Sequence, residues 1–97
     1  MEVYFSSLAV ADLAEIRDYI AENNVDAAER LLDAIEAACS RFGNLPHIGR
    51  TRDDLLPGIH VFPVEKNYAV FYRIVDDAVE IVRVVHAARD FHRLFDV

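Results

Sequence analysis

The sequence predicts an α+β fold: an N-terminal strand, an antiparallel helical hairpin, then a three-stranded antiparallel sheet (β-α-α-β-β-β) closed by a short C-terminal helix or tail. Three observations predict it. Apolar residues recur at helical spacing over residues 8–23 and again over 27–43, the period of amphipathic helices. Beyond residue 58 the pattern changes to short runs of β-branched and aromatic residues parted by polar turn clusters, as in consecutive hairpins. Between the two halves lies "GNLPHIGRTRDDLLPG", which holds all three glycines of the chain and two of its prolines.

Taken in order, "EVYFS" alternates, with Val3 and Phe5 on one face, and makes the first strand. Ser6 or Ser7 can cap the helix that follows. Leu13, Ile16 and Ile20, with Leu8 or Val10 before them, form its apolar stripe; Asp12, Glu15, Asp18 and Glu22 take the other side. "ENNVD" breaks the pattern, and Asp26 with Glu29 fits a capping box opening a second helix near Ala27. Ala28, Leu31, Leu32, Ile35, Cys39 and Phe42 are its stripe, and Gly43 is its expected stop.

An irregular connection as long as residues 43–58 is uncommon in a small domain and is usually functional or anchored by its own side chains. Its "DDLL" has room for one helical turn. "IHVFPV" (59–64), "YAVFYRIV" (68–75) and "VEIVRVVH" (79–86) then read as strands, joined by "EKN" and "DDA". Pro63 puts its strand at an edge or a bulge. The last two strands are apolar on both faces, as in the middle of a sheet with something packed on one side. "AARDFHRLF" finishes as a short helix or an ordered tail. With the helical hairpin on one face, the other is expected to be partly open, or covered by the tail or a partner.

A chain of 97 residues is expected to form one domain over 1–97 with one modest core. Apolar residues make up 54% and charged residues 28%, which argues against disorder. No apolar run approaches the ~18 residues of a membrane span. "MEVYFSSLAV" has no basic start, so it does not read as a secretory signal. With one cysteine, no internal disulfide forms, and a reducing cytoplasm is the expected location.

The net charge of −7 is unevenly placed. Residues 1–40 carry nine acids against Arg17 and Arg30, which is 2 − 9 = −7, while residues 41–97 balance. An acidic chain is a poor nonspecific ligand for nucleic acid, whose phosphates demand accumulated positive charge. Yet the strands and tail that read as most buried hold Arg73, Arg83, His86 and Arg89. Arg73 shares a strand face with Phe71 and Val75, and Arg83 with Ile81 and Val85. A two-residue loop at Asp76-Asp77 would set Arg73 against Glu80; a three-residue loop would point both arginines to one side.

Two readings of these cations stand. Each arginine could lie along the sheet, stem over apolar surface and head paired with an acid. Alternatively Arg83, His86 and Arg89, at the exit of the central strand, could dock something anionic, since guanidinium forks carboxylates and phosphates in bidentate fashion. Arg50 and Arg52 in the long loop join Arg73, Arg83, His86 and Arg89 as the candidate binding set. Cys39 on an apolar stripe reads as core. The four histidines lack metal spacing, and neither a Gly-rich phosphate loop nor a G-x-S-x-G elbow is present. No metal, cofactor or catalytic residue is implied.

"SLAVADLAEIRDYIAENN", "AAERLLDAIEAA", "LPHIGRTRDDLLPGI" and "FYRIVDDAVEIVRVVHAARD" together resemble the ParE branch of the RelE/ParE toxins of bacterial type II toxin–antitoxin modules. The loop spacing of Pro46, Gly49, Arg50, Asp53, Leu55, Pro57 and Gly58 with "RVVHAARD" is the more specific part; the helices alone would not suffice. The resemblance implies a helical hairpin on a small antiparallel sheet, in a cytoplasmic toxin neutralised by a ParD-like antitoxin. It also implies action by binding DNA gyrase and blocking replication, with no direct nucleic-acid or membrane binding. RelE-type relatives instead cut mRNA on the ribosome, which needs a base, an acid and cations for the phosphorane charge. Their basic and terminal residues align near Ala69 and Ala87, and they are strongly basic where this chain is at −7. A non-nuclease is therefore favoured, with a ribosome-dependent nuclease, or a degenerate toxin that only binds antitoxin, as the alternatives.

Overall fold

β1 (Glu2–Phe5) lies beside β5 (Ala78–His86) in a computed structural model that describes residues 1–95. The two run parallel, Glu2 opposite Ala78 and Phe5 opposite Ile81, so the first strand is an integral edge of the sheet. Ser6 then turns the chain into α1 (Ser7–Ala21). Its N–H donates to the Ile81 carbonyl, its Oγ donates to the Val82 carbonyl, and the same Oγ accepts from Ala9 N–H at 3.1 Å. One hydroxyl thus caps a helix and fastens it to the strand below.

α1 buries Ala9 and Asp12 and packs Leu13, Ile16 and Ile20 on the core, while Leu8 and Val10 are exposed. The stripe therefore begins at Ala9, since a small residue is what fits where helix and sheet approach closely. α2 (Val25–Arg41) opens two residues before the expected Ala27. Asn24, not Asp26, is its cap: the Asn24 Oδ1 accepts from Ala27 N–H at 2.9 Å. Ala28, Leu31, Ile35, Ala38 and Cys39 are buried, and Phe42 follows them. Gly43 does not use a left-handed conformation to stop the helix; Gly58 is the glycine with positive φ. Its role is proximity. Any Cβ there would sit 2.6 Å from the Met1 carbonyl oxygen, and the Gly43 carbonyl accepts from the Met1 amine at 2.8 Å.

The long connection is anchored by its own groups. Arg50–Thr51 form a short β2 that sequence periodicity did not reveal. The "DDLL" segment closes a single hydrogen-bonded turn, with Leu55 and Leu56 N–H donating to the Arg52 carbonyl. Gly58, at φ +81, donates to Asp53 Oδ1. β3 (His60–Val64) and β4 (Tyr68–Val75) follow, and the five strands lie in the order β1-β5-β4-β3-β2. The sheet is thus mixed and five-stranded, with β1 and β2 added to the expected three.

The β4–β5 hairpin turns on Asp76 and Asp77 alone, both with positive φ, which is the geometry that matches strand twist. Arg73 consequently faces Glu80, but the register then shifts: Tyr72 lies opposite Ile81 and Phe71 opposite Arg83, leaving Val82 as an extra residue. Within this irregular stretch the Arg83 side chain reaches Asp12 on α1, while Arg73 pairs with Glu80 on the face away from the helices. On the helix side, Tyr72 is the centre of the larger core, stacked on Phe42 at 4.1 Å and on His60 at 5.0 Å. On the other side a second cluster joins Leu55, Ile59, Ala69, Phe71 and Val85 to α3 (Phe91–Leu94) and the neighbouring Phe95. The face opposite the hairpin is therefore covered by the long connection and the tail.

Candidate functional site

The six candidate cations divide into two groups. Arg73 is paired: its Nε donates to Glu80 Oε1 at 2.7 Å on the sheet face away from the helices. Arg52 grips Asp54 through Nε and Nη2, both at 2.9 Å. The Arg52 guanidinium holds the Asp54 carboxyl down at about 2. Arg83 crosses to α1 and forks Asp12, Nε to Oδ2 at 2.8 Å and Nη2 to Oδ1 at 2.9 Å. Asp12 Oδ2 also accepts from Val84 N–H, and these bonds hold the guanidinium above its ordinary pKa.

Asp12 was legible only as part of a solvated helix face. Its offset of three residues from Ala9 and four from Ile16, on the side that proves buried, is the signal that identifies it as Arg83's partner. The exposed stem-and-head reading thus describes Arg73, whereas Arg83 sits in a mostly buried fork, its side chain 17% exposed and that of Asp12 11%.

Arg50, His86 and Arg89 form the second group. All three are exposed, and none makes a salt bridge among the described residues. His86 is held in place: its Nδ1 accepts from Ala88 N–H at 3.0 Å, which directs Nε2 outward, and its ring meets Tyr68 edge-on at 5.3 Å. Arg89 N–H donates to the His86 carbonyl, so His86 and Arg89 turn on one tight bend at the end of β5.

Tyr68, at the start of β4, lines a recess of about 570 Å³ with Arg30, Asp33 and Glu65 and borders two more. One, of about 340 Å³, lies between α1 and the end of β5, with Ile16, Tyr19 and Val84 below and His86 and Arg89 at its rim. Asp12 and Glu15 also line it; Asp12 is held by Arg83, whereas Glu15 is exposed and makes no salt bridge among the described residues. The other, of about 490 Å³, wraps the outer edge of β3 where β2 has ended, among Ile48, Val61, Phe62, Pro63, Ala87 and Phe91. Arg50 is the one ionisable group besides Tyr68 among its lining residues. The arrangement can seat apolar side chains in two places and carboxylates at the cations flanking them. Sequence reasoning placed His86 and Arg89 together but did not find Tyr68, because shared walls arise from register.

Among the described residues no group of three potential metal ligands converges, and no helix is long and apolar enough to cross a membrane.

Similarity to known proteins agrees with this architecture. The family model for the "ParE toxin of type II toxin-antitoxin system, parDE" matches residues 3–91. Toxin RelE2 of Caulobacter vibrioides is 35% identical over 88 residues, covering 91% of this chain and 97% of that protein. Toxin ParE1 of Mycobacterium tuberculosis is 33% identical over 90 residues, with 91% of each chain covered. A structure described as the chromosomal ParDE TA system from P. aeruginosa superposes with a TM-score of 0.76 at 20% identity, covering 89% of this chain and 95% of that one. The helical hairpin on its antiparallel-rich sheet is the fold shared with that structure, and the chain belongs to the ParE family of toxins of type II toxin–antitoxin systems.

Proposed function

We propose that this toxin acts by binding and not by catalysis: it inhibits DNA gyrase, blocks replication in the cytoplasm, and is kept silent by a ParD-like antitoxin. The observation that carries the reading is what occupies the positions where RelE-type nucleases align their basic and terminal residues. Ala69 is buried in the second apolar cluster and Ala87 lines an apolar recess. Neither side chain can move a proton or offset charge on a phosphorane, and both of those are needed to cleave RNA. The excess negative charge of residues 1–40 also disfavours docking on ribosomal RNA.

The relative called Toxin RelE2 favours a second reading, mRNA cleavage on the ribosome. Purified toxin in a supercoiling reaction separates the two. Inhibition of gyrase with mRNA left intact supports the proposal; ribosome-dependent cuts with supercoiling unaffected would overturn it. If neither occurs while antitoxin still binds, the chain is a degenerate toxin that keeps only its partner.

A further inference from the structure

The turn between β3 and β4 breaks a local rule. Glu65 and Lys66 stand at φ 52 and 66, the left-handed region in which a Cβ crowds the following carbonyl. Glycine, asparagine and aspartate tolerate that region; glutamate and lysine have no short polar side chain to bond back to their own backbone. The other hairpin obeys the rule, with Asp76 and Asp77 at its corner. Asn67 directly follows Lys66, yet it is not among the residues with positive φ. Local conformation therefore does not account for Glu65 and Lys66, and the surroundings hold them in place. Asn67 N–H donates to the Glu65 carbonyl, and the Asn67 carbonyl accepts from Ala87 N–H, both at 2.7 Å. Strain kept by neighbouring bonds at an exposed turn marks a working surface.

Glu65 lines the recess of about 570 Å³ together with Arg30 and Asp33 of α2, with Ile20, Leu31 and Tyr68 as its apolar part. Arg30, Asp33, Glu65 and the adjoining Lys66 are exposed, and none makes a salt bridge among the described residues. Two cations and two anions thus stand free at one concavity. We infer that the β3–β4 turn and this recess are the surface by which the toxin grips gyrase. The matching surface is that of a folded protein, which offers an apolar side chain to the recess, carboxylates to Arg30 and Lys66, and cations to Asp33 and Glu65. The inference rests on the reading of the protein as a gyrase inhibitor and adds to it the place of contact.

Charge and rigidity both favour this occupant. The four groups sum to zero on a chain of net charge −7, so nothing here accumulates the positive charge a polyanion demands. Mixed signs instead select a partner that matches them position by position, because a displaced register brings like charges together. A turn fixed before contact adds no ordering cost at docking, which suits a partner that is itself folded. An inhibitor that works by binding has to engage such a partner.

The test replaces the turn with the chemistry its backbone prefers. A Glu65→Asn/Lys66→Gly toxin loses both charges and the strain together. It should unfold about 4 °C above the parent, bind the product of the adjacent reading frame as the parent does, and inhibit purified gyrase at least about tenfold more weakly in a supercoiling reaction. A merely structural turn would not lose inhibition while gaining stability. Asp77→Gly, which relieves the other hairpin, should gain stability and keep full inhibition. Arg30→Glu, at an exposed helix position, should weaken inhibition about tenfold with the parent's far-UV spectrum. Equal inhibition by the parent and the turn variant would overturn the inference. So would a loss of antitoxin affinity as large as the loss of inhibition, which would assign the surface to the antitoxin. A parent toxin that leaves gyrase untouched would instead remove the reading on which the inference stands.

Discussion

Asp12 carries three hydrogen bonds on its two oxygens, two from the Arg83 guanidinium and one from Val84 N–H. It thereby fixes α1 over the bulge in β5. Removing it leaves a mostly buried guanidinium without a counter-charge and a strand N–H without an acceptor. Asp12→Ala should therefore cost roughly 3 kcal/mol in urea unfolding, the lower end for a broken buried pair. Arg73→Ala removes a similar-looking pair whose arginine is 46% exposed, and should cost less than about 1 kcal/mol. Equal losses for the two would contradict the burial argument. Asp54 offers a pH readout. Its carboxyl, held at about 2 by Arg52, gives a stabilising term present above its unfolded value of ~3.9 and lost as pH falls toward 2. An NMR titration should find that depressed midpoint, and Arg52→Ala should return it to the ordinary carboxylate range.

At the scale of elements, the β4–β5 turn places two aspartates at positive φ, a conformation that side chains resist. Asp77→Gly should stabilise the fold by about 0.5–1 kcal/mol in thermal unfolding, the Asp-Gly pair being the preferred chemistry of such a turn. Much of this hairpin was legible, because alternating apolar runs and an acidic turn leave little freedom. β4 spans Tyr68–Val75 as the periodicity predicts. The bulge at Val82 was not legible, since every residue from Val79 to Val85 except Glu80 and Arg83 is apolar and offers no alternation to interrupt. β2 escaped for another reason: Arg50–Thr51 becomes a strand only because His60 and Val61 lie alongside. The α2 cap slipped by two residues because "NNVD" holds two competent cap types and tertiary fit selects Asn24. Of the site, the cations were visible as residues, but their sorting into paired and unpaired groups depends on which strand face each takes.

For the molecule as a whole, two apolar clusters on opposite faces of one sheet divide the work. The larger is closed by the helical hairpin; the smaller depends on the tail, where Phe91 and Phe95 meet Phe71 edge-on at 4.9 and 5.1 Å. Phe91→Ala should lower stability by roughly 2 kcal/mol, less than for a fully buried ring because Phe91 is only half-buried. The same change opens the recess on the other side of that ring. The parallel pairing of β1 with β5 has a consequence in time. The partner of Val3 is Val79 and that of Phe5 is Ile81, so the opening strand has nothing to pair with until β5 has been synthesised. On the ribosome the hairpin of helices emerges first, with an unfilled seam where β5 belongs. The sheet thus stays incomplete until β5 has been made, and the folded surface of the toxin is delayed by topology alone.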